Sequence, residues 1–106
     1  MSFYDEYELL ELFCSEPKVI DQEVGIYEYQ MSSETGHTFT LYFSIHEETV
    51  IITLSHNKLM NPIFDISLKE VEKIKADSEK LVFTRNDKPT VMMYVKPSFT
   101  LEIENL

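Results

Sequence analysis

The chain has 106 residues, of which 19 are acidic and 9 are basic, so its formal net charge is −10. This length predicts a single domain over residues 1–106, because compact domains usually contain about 100–150 residues. Hydrophobic residues make up 43% and aromatic residues 12% of the chain. This composition excludes intrinsic disorder as the default state.

The sequence favours a soluble, cytoplasmic protein. No apolar run approaches the ~18 residues that a transmembrane helix needs. The first residues are acidic, whereas a secretory signal combines basic residues with an apolar stretch, so no such signal is expected. Cys14 is the single cysteine and cannot form an internal disulfide.

The charge is unevenly distributed along the chain. Residues 1–53 contain 11 acidic side chains and one basic one, Lys18, whereas residues 54–106 contain 8 of each. A field of this kind repels nucleic-acid phosphates and anionic lipids and attracts basic surfaces. It therefore argues against direct binding to nucleic acid or membranes. It favours a basic protein partner, although acidity that only confers solubility is an alternative.

The pattern predicts a first helix over Phe3–Cys14, with Ser2 as N-cap and Pro17 following its end. A helical repeat places an apolar group on the inward side, Phe3, Tyr7, Leu10 and Cys14, with Leu9 and Phe13 on one flank of it. It places a mixed group on the solvent side: Tyr4, Asp5, Glu8, Glu11 and Leu12.

After Pro17 the apolar period changes to two, which is typical of strands. Residues 24–55 predict a three-stranded antiparallel meander, and further strands are predicted at 63–68, 81–83, 91–95 and 99–103. Residues 68–80 are ambiguous, because a capping box at Ser67–Glu70 favours a helix whereas 71–76 also fits an edge strand. The strand interpretation is preferred. The predicted fold class is α+β, an N-terminal helix packed on a predominantly antiparallel sheet of about six or seven strands.

Catalytic, cofactor and metal signatures are weak. His37, His46 and His56 are separated by 9 and 10 residues, and a hairpin turning near Glu47–Glu48 would pair position 39 with 56, leaving His37 diagonal to His56. Cys14 is predicted to be a small core residue rather than a nucleophile. We therefore predict no enzyme activity, no cofactor and no metal site.

Aromatic residues interleaved with carboxylates suit a protein interface, because rings supply buried area and carboxylates pair with Arg or Lys. The predicted partner-binding residues are Tyr4, Asp5, Glu8, Glu11, Leu12 and Glu28, the last of these lying between Tyr27 and Tyr29. The alternative is that Tyr4 and Leu12 pack against the rim of the sheet.

A small acidic α+β domain of this kind resembles the immunity proteins of bacterial toxin–immunity systems, including contact-dependent inhibition and polymorphic toxin systems. The resemblance rests on size, on the acidic Tyr-containing segment Phe3–Phe13 and on the β-rich remainder, including 71–77 and 81–83. It implies binding to a cognate toxin domain, often a nuclease with a basic active site, which is either plugged or shielded from its substrate.

Two other functions remain open from the sequence. One is a phage or mobile-element inhibitor that mimics nucleic-acid charge and occupies a DNA-binding protein. The other is a small β-barrel that binds a ligand in its interior, against which the bulky residues of the meander argue, since they would fill that interior.

Overall fold

The computed structural model describes residues 3–104 and has an α+β fold with one N-terminal helix and two antiparallel sheets. The elements are α1 (Glu6–Phe13), β1 (Lys18–Asp21), β2 (Ile26–Ser32), β3 (His37–Ser44), β4 (Thr49–His56), β5 (Phe64–Leu68), β6 (Lys73–Ala76), β7 (Lys80–Arg85), β8 (Lys88–Tyr94) and β9 (Thr100–Ile103). The predicted fold class is confirmed.

The described strands form a five-stranded sheet, β1-β2-β3-β4-β5, and a four-stranded sheet, β6-β7-β8-β9. The sequence predicts a single sheet of about six or seven strands, whereas the described residues form nine strands in two sheets. The additional strands include β1, which the sequence pattern does not predict. The chain leaves the first sheet after Leu68, and Glu70 adopts a left-handed φ of 59° there. No glycine or proline marks this break in the sequence, so periodicity alone could not locate it.

The chain separates into two compact units. Residues 16–69 form the meander unit, which contains the five-stranded sheet. Residues 1–15 and 70–106 form the helical unit, which contains α1 and the four-stranded sheet. The single domain expected from length stays a prediction.

The alternation of the meander strands determines which side of the five-stranded sheet is buried. Tyr29, Leu41 and Ile52 lie side by side across β2, β3 and β4, and all are at most 1% exposed. The residues next to these along the strands, Gln30, Thr40 and Thr53, lie on the opposite and more exposed side of the sheet. The predicted meander over 24–55 is confirmed, because a period of two allows a single choice of inward face.

In the helical unit the ambiguous segment is extended, as preferred from the sequence. β6 pairs with β7, placing Ile74 beside Phe83, and both side chains are buried. A turn at Asp77–Glu79 joins the two strands. The Asp77 carboxylate accepts hydrogen bonds from the backbone N–H groups of Glu79 (2.8 Å) and Lys80 (3.0 Å). These bonds favour a turn over the continuation of a helix.

The backbone hydrogen bond from Glu79 has the largest effect on the Asp77 carboxyl and lowers its pKa from the usual 3.8. The backbone hydrogen bond and the positive charge of Lys80 also lower this pKa. A lowered pKa in the folded state means that the ionised carboxylate stabilises the fold at neutral pH. This stabilisation should disappear as the pH falls through the lowered pKa. We expect Asp77→Ala to reduce the free energy of unfolding at pH 7, and the deficit to narrow in acid. Urea unfolding of the wild type and of Asp77→Ala, from neutral pH to below about pH 3, measures how this difference in stability changes with pH.

Asp77→Asn is the matched control, because its amide oxygen can accept the same two bonds without titrating. A deficit of Asp77→Ala that stays constant throughout this pH range would contradict the role assigned to the carboxylate.

Candidate functional site

The helix that carries most of the predicted contact residues begins later than expected. Asp5 has an extended backbone and is the N-cap, and its carboxylate accepts hydrogen bonds from the N–H groups of Tyr7 (2.9 Å) and Glu8 (3.3 Å). Asp5 is an effective cap, because it satisfies backbone donors that have no partner within the helix. The predicted N-cap, Ser2, lies outside the described residues.

Because Phe3 and Tyr4 precede the cap, they do not belong to the helical repeat. Tyr4 forms a parallel bridge with Ile74 of β6, and the Phe3 carbonyl accepts the Ile74 N–H (2.8 Å). Including these two residues in the helical pattern misplaced its inward face.

The buried side of α1 consists of Leu9, Leu12 and Phe13, all at most 5% exposed. The expected exposure of Leu12 is therefore wrong, since this residue is 4% exposed. The expected burial of Tyr7 and Cys14 is also wrong, because Tyr7 is 75% exposed and Cys14 is an exposed C-cap residue with a φ of 56°. The buried positions are spaced i, i+3 and i+4, as on one face of a helix.

Glu8 has a structural task in addition to its charge. Its carboxylate accepts the Ala76 N–H of β6 at 3.0 Å, and Glu8 is half-buried. Ala76 and Ile74 direct their N–H groups away from β7, towards the edge of the sheet, where Glu8 and Phe3 supply the acceptors. The N-terminal segment thus covers an edge that would otherwise present unpaired backbone donors.

We expect Glu8→Ala to lower the free energy of unfolding by about 1 kcal/mol, because the Ala76 N–H loses its acceptor at a partly buried position. Glu8→Gln keeps an acceptor oxygen and should lose less. Chemical denaturation of the three proteins, with hydrogen exchange of the Ala76 amide, provides the measurement. Unchanged exchange at Ala76 in Glu8→Ala would show that the bond does not protect this edge.

Glu28 lies on the meander unit, and the two tyrosines next to it along the chain do not share its side of the sheet, as the alternation of β2 predicts. Tyr27 and Tyr29 project to the opposite side of the sheet, where Tyr29 stacks on Phe43 with ring centroids 6.2 Å apart. The residues paired with Glu28 on its own side are Tyr42 of β3 and Lys18 of β1. Neighbours along a strand point to opposite faces, so Glu28 shares no surface with Tyr27 or Tyr29.

The predicted contact residues are therefore divided between the units. Glu28 belongs to the meander unit, and the other five belong to the helical unit. The charge is also divided, because the helical unit contains 11 acids and 6 bases and the meander unit 8 acids and 3 bases, giving −5 for each. The imbalance between sequence halves disappears because acidic α1 is in the same unit as the base-containing strands β6–β8.

Two histidines form a pair whose register differs by two residues from the predicted one, since His56 is opposite residue 37 and not residue 39. His37 lies directly opposite His56, with ring centroids 4.6 Å apart, because the β3–β4 turn closes at Ser44 and Thr49. His56 Nδ1 accepts the Lys58 N–H (3.1 Å), which leaves Nε2–H to donate to the Thr35 carbonyl (2.8 Å). These bonds anchor the β4–β5 loop. Within residues 3–104, no group of three or more His, Cys, Asp or Glu side chains is arranged to hold a metal ion.

Sequence reasoning missed several exposed apolar residues, and two groups of them lie outside the strands. Tyr7 and Leu10 face outward from α1, with Leu10 38% exposed. Leu59, Met60 and Ile63, in the β4–β5 loop, are 55%, 98% and 47% exposed. The first could have been found by starting the helical repeat at Asp5, which is itself a strong N-cap residue.

The eight-residue helix α1 is too short to span a bilayer, and residues 3–104 contain no other helix that could serve as a transmembrane span. No protein-family model matches the chain, and no curated protein sequence matches it.

One solved structure is similar over nearly the whole chain: a contact-dependent growth inhibition toxin–immunity protein complex from Klebsiella pneumoniae 342. The TM-score is 0.79 at 19% sequence identity, and the alignment covers 94% of this chain and 92% of the matched chain. At this identity the likeness establishes a shared fold. The resemblance to toxin–immunity systems that was inferred from the sequence is thereby confirmed at the level of the fold.

Proposed function

We propose that this protein is a cytoplasmic, non-catalytic immunity protein that binds and neutralises a cognate toxin domain. The observation that carries this proposal is the likeness to a chain of a toxin–immunity complex, which extends over 94% of this chain at a TM-score of 0.79. The small size and acidic composition inferred from the sequence support the same function.

The charge supports a partner with a basic surface. The net charge of −10 is shared equally by the two units, so an acidic field surrounds both. Opposite charge on a partner accelerates encounter and favours the correct partner over neutral or acidic ones. A nuclease is the toxin class that this charge favours, because a cleft that binds nucleic acid is itself basic.

The proposed contact residues are Tyr4, Asp5, Glu8, Glu11 and Glu28, and buried Leu12 contributes through packing instead. Asp5 and Glu8 also hold the helix and the edge of β6, so charge reversal at either would damage the fold along with the interface. Asn and Gln are better probes, because they remove the charge and keep an acceptor oxygen.

The direct test of immunity is growth rescue. The C-terminal region of the product of the reading frame immediately upstream would be expressed in a bacterial host with and without this protein. We expect toxicity that co-expression relieves, together with a stable complex on gel filtration. A harmless upstream product, or toxicity that co-expression does not relieve, would contradict the proposal.

The acidic contact surface has its own prediction. A variant combining Asp5→Asn, Glu8→Gln, Glu11→Gln and Glu28→Gln should bind the toxin domain at least about 10-fold more weakly, chiefly through a slower on-rate at low salt. Stopped-flow binding at two salt concentrations provides the measurement.

A second variant provides the matched control: Glu16→Gln, Glu23→Gln, Glu34→Gln and Glu47→Gln. These four exposed residues do not belong to the proposed contact set. Their neutralisation removes four negative charges, as the first variant does. Equal losses in the two variants would show that overall charge, and no particular surface, governs the encounter.

A further inference from the structure

The outward side of α1 combines exposed apolar groups with carboxylates. This outer helix face consists of four residues spaced three or four positions apart: Tyr7, Leu10, Glu11 and Cys14. It lies opposite the buried side of the helix. Tyr7 is 75% exposed, and no other tyrosine or phenylalanine among residues 3–104 is classed as exposed. Leu10, beside it, is 38% exposed.

The carboxylates of this helix are not neutralised within its own segment. Residues 3–17 contain no lysine or arginine, and the first base along the chain is Lys18. Asp5 and Glu8 are engaged with backbone N–H groups, whereas the exposed side chains of Glu6 and Glu11 make no hydrogen bond or ion pair among residues 3–104. An aromatic ring with an available carboxylate, Glu11, four positions along the same face is suited to a basic surface.

Glu11 is, in addition, unfavourably placed for the stability of the helix. It lies in the last turn, where the carbonyl end of the helix dipole repels negative charge, and this turn contains no basic residue. An acid here destabilises the isolated protein. The arrangement is explained if the charge acts on a partner.

We propose that the outer helix face is the docking surface for the basic toxin domain, with Tyr7 entering an apolar pocket bordered by Arg or Lys side chains. The inference rests on the proposed function and identifies the surface that performs it. Charge complementarity selects the occupant, and the exposed ring and Leu10 supply apolar area at its centre. Single exposed apolar residues are ordinary, but here they coincide with carboxylates that have no partner of their own.

The β4–β5 loop is another exposed apolar surface and provides the matched control. Met60 is 98% exposed, so replacing it removes apolar surface without disturbing packing. The loop has Lys58 beside Leu59, and it therefore lacks the purely acidic setting of α1.

The experiment uses the full chain and the purified C-terminal domain of the upstream product as the probe. We expect Tyr7→Ser to raise Kd at least about 30-fold, as for a central aromatic anchor, and Tyr7→Phe to raise it much less. Met60→Ser should leave Kd within about 2-fold of wild type. Thermal unfolding of each variant is the control for loss of folded protein. We expect the Tm to change little in the Tyr7 variants, because this side chain is largely exposed.

Glu11→Gln supplies a second test, in which stability and affinity are expected to change in opposite directions. Removing the charge should raise the Tm of the free protein, because the conflict with the helix dipole is relieved, and should weaken binding about 3- to 10-fold. A merely structural role for Glu11 would move stability and affinity in the same direction.

The outcomes separate the two proposals. If the wild-type protein neither rescues growth nor binds the probe, the proposed function fails, and this docking surface fails with it. If the wild-type protein binds and Tyr7→Ser binds equally well, the docking surface is wrong and the immunity function stands. Weakened binding by Met60→Ser alone would place the contact on the β4–β5 loop and would also overturn the inference.

Discussion

The N-cap at Asp5 is the interaction on which the arrangement of the N-terminal segment depends. By accepting the Tyr7 and Glu8 N–H groups, it starts the helix at Glu6 and leaves Phe3 and Tyr4 extended. The extended pair can then bond to Ile74 at the edge of β6, while the first turn of the helix brings Glu8 to Ala76. The capping carboxylate thus sets where the helix begins and leaves the preceding residues extended along the sheet edge, whereas the apolar Leu9, Leu12 and Phe13 determine which side of the helix faces inward.

Covering this edge by the chain's own N-terminus has a consequence for function. Backbone donors at a sheet edge invite pairing with other chains, and here two of them are satisfied within the helical unit. Glu8 is consequently both a structural acceptor and one of the acids proposed to meet the partner. The two tasks can coexist, because a carboxylate has two oxygens with several acceptor positions, and only Oε1 is bonded to Ala76.

The distribution of charge looks different in the fold from its distribution along the chain. In the sequence, the first half carries the full net charge, whereas the two compact units carry −5 each. An argument from linear charge therefore predicts the sign of the charge on the proposed partner but not the surface that the partner would meet. The surface depends on which carboxylates are already engaged, and this separates Glu11, which is free for a partner, from Asp5 and Glu8.

The sequence by itself determined the α+β class, the meander and the extended nature of residues 63–68, 91–95 and 99–103. In these strands the alternation of apolar and polar residues allows one inward face, so a local pattern suffices. The outward side of the helix, the neighbours of Glu28 and the division into two sheets required the tertiary structure. Each depends on a non-local or weakly encoded event: the docking of Phe3 and Tyr4 on β6, the pairing of β2 with β3, and the break at Glu70. Local periodicity contains no information about such contacts, since they join residues distant in sequence or turn on a single backbone conformation.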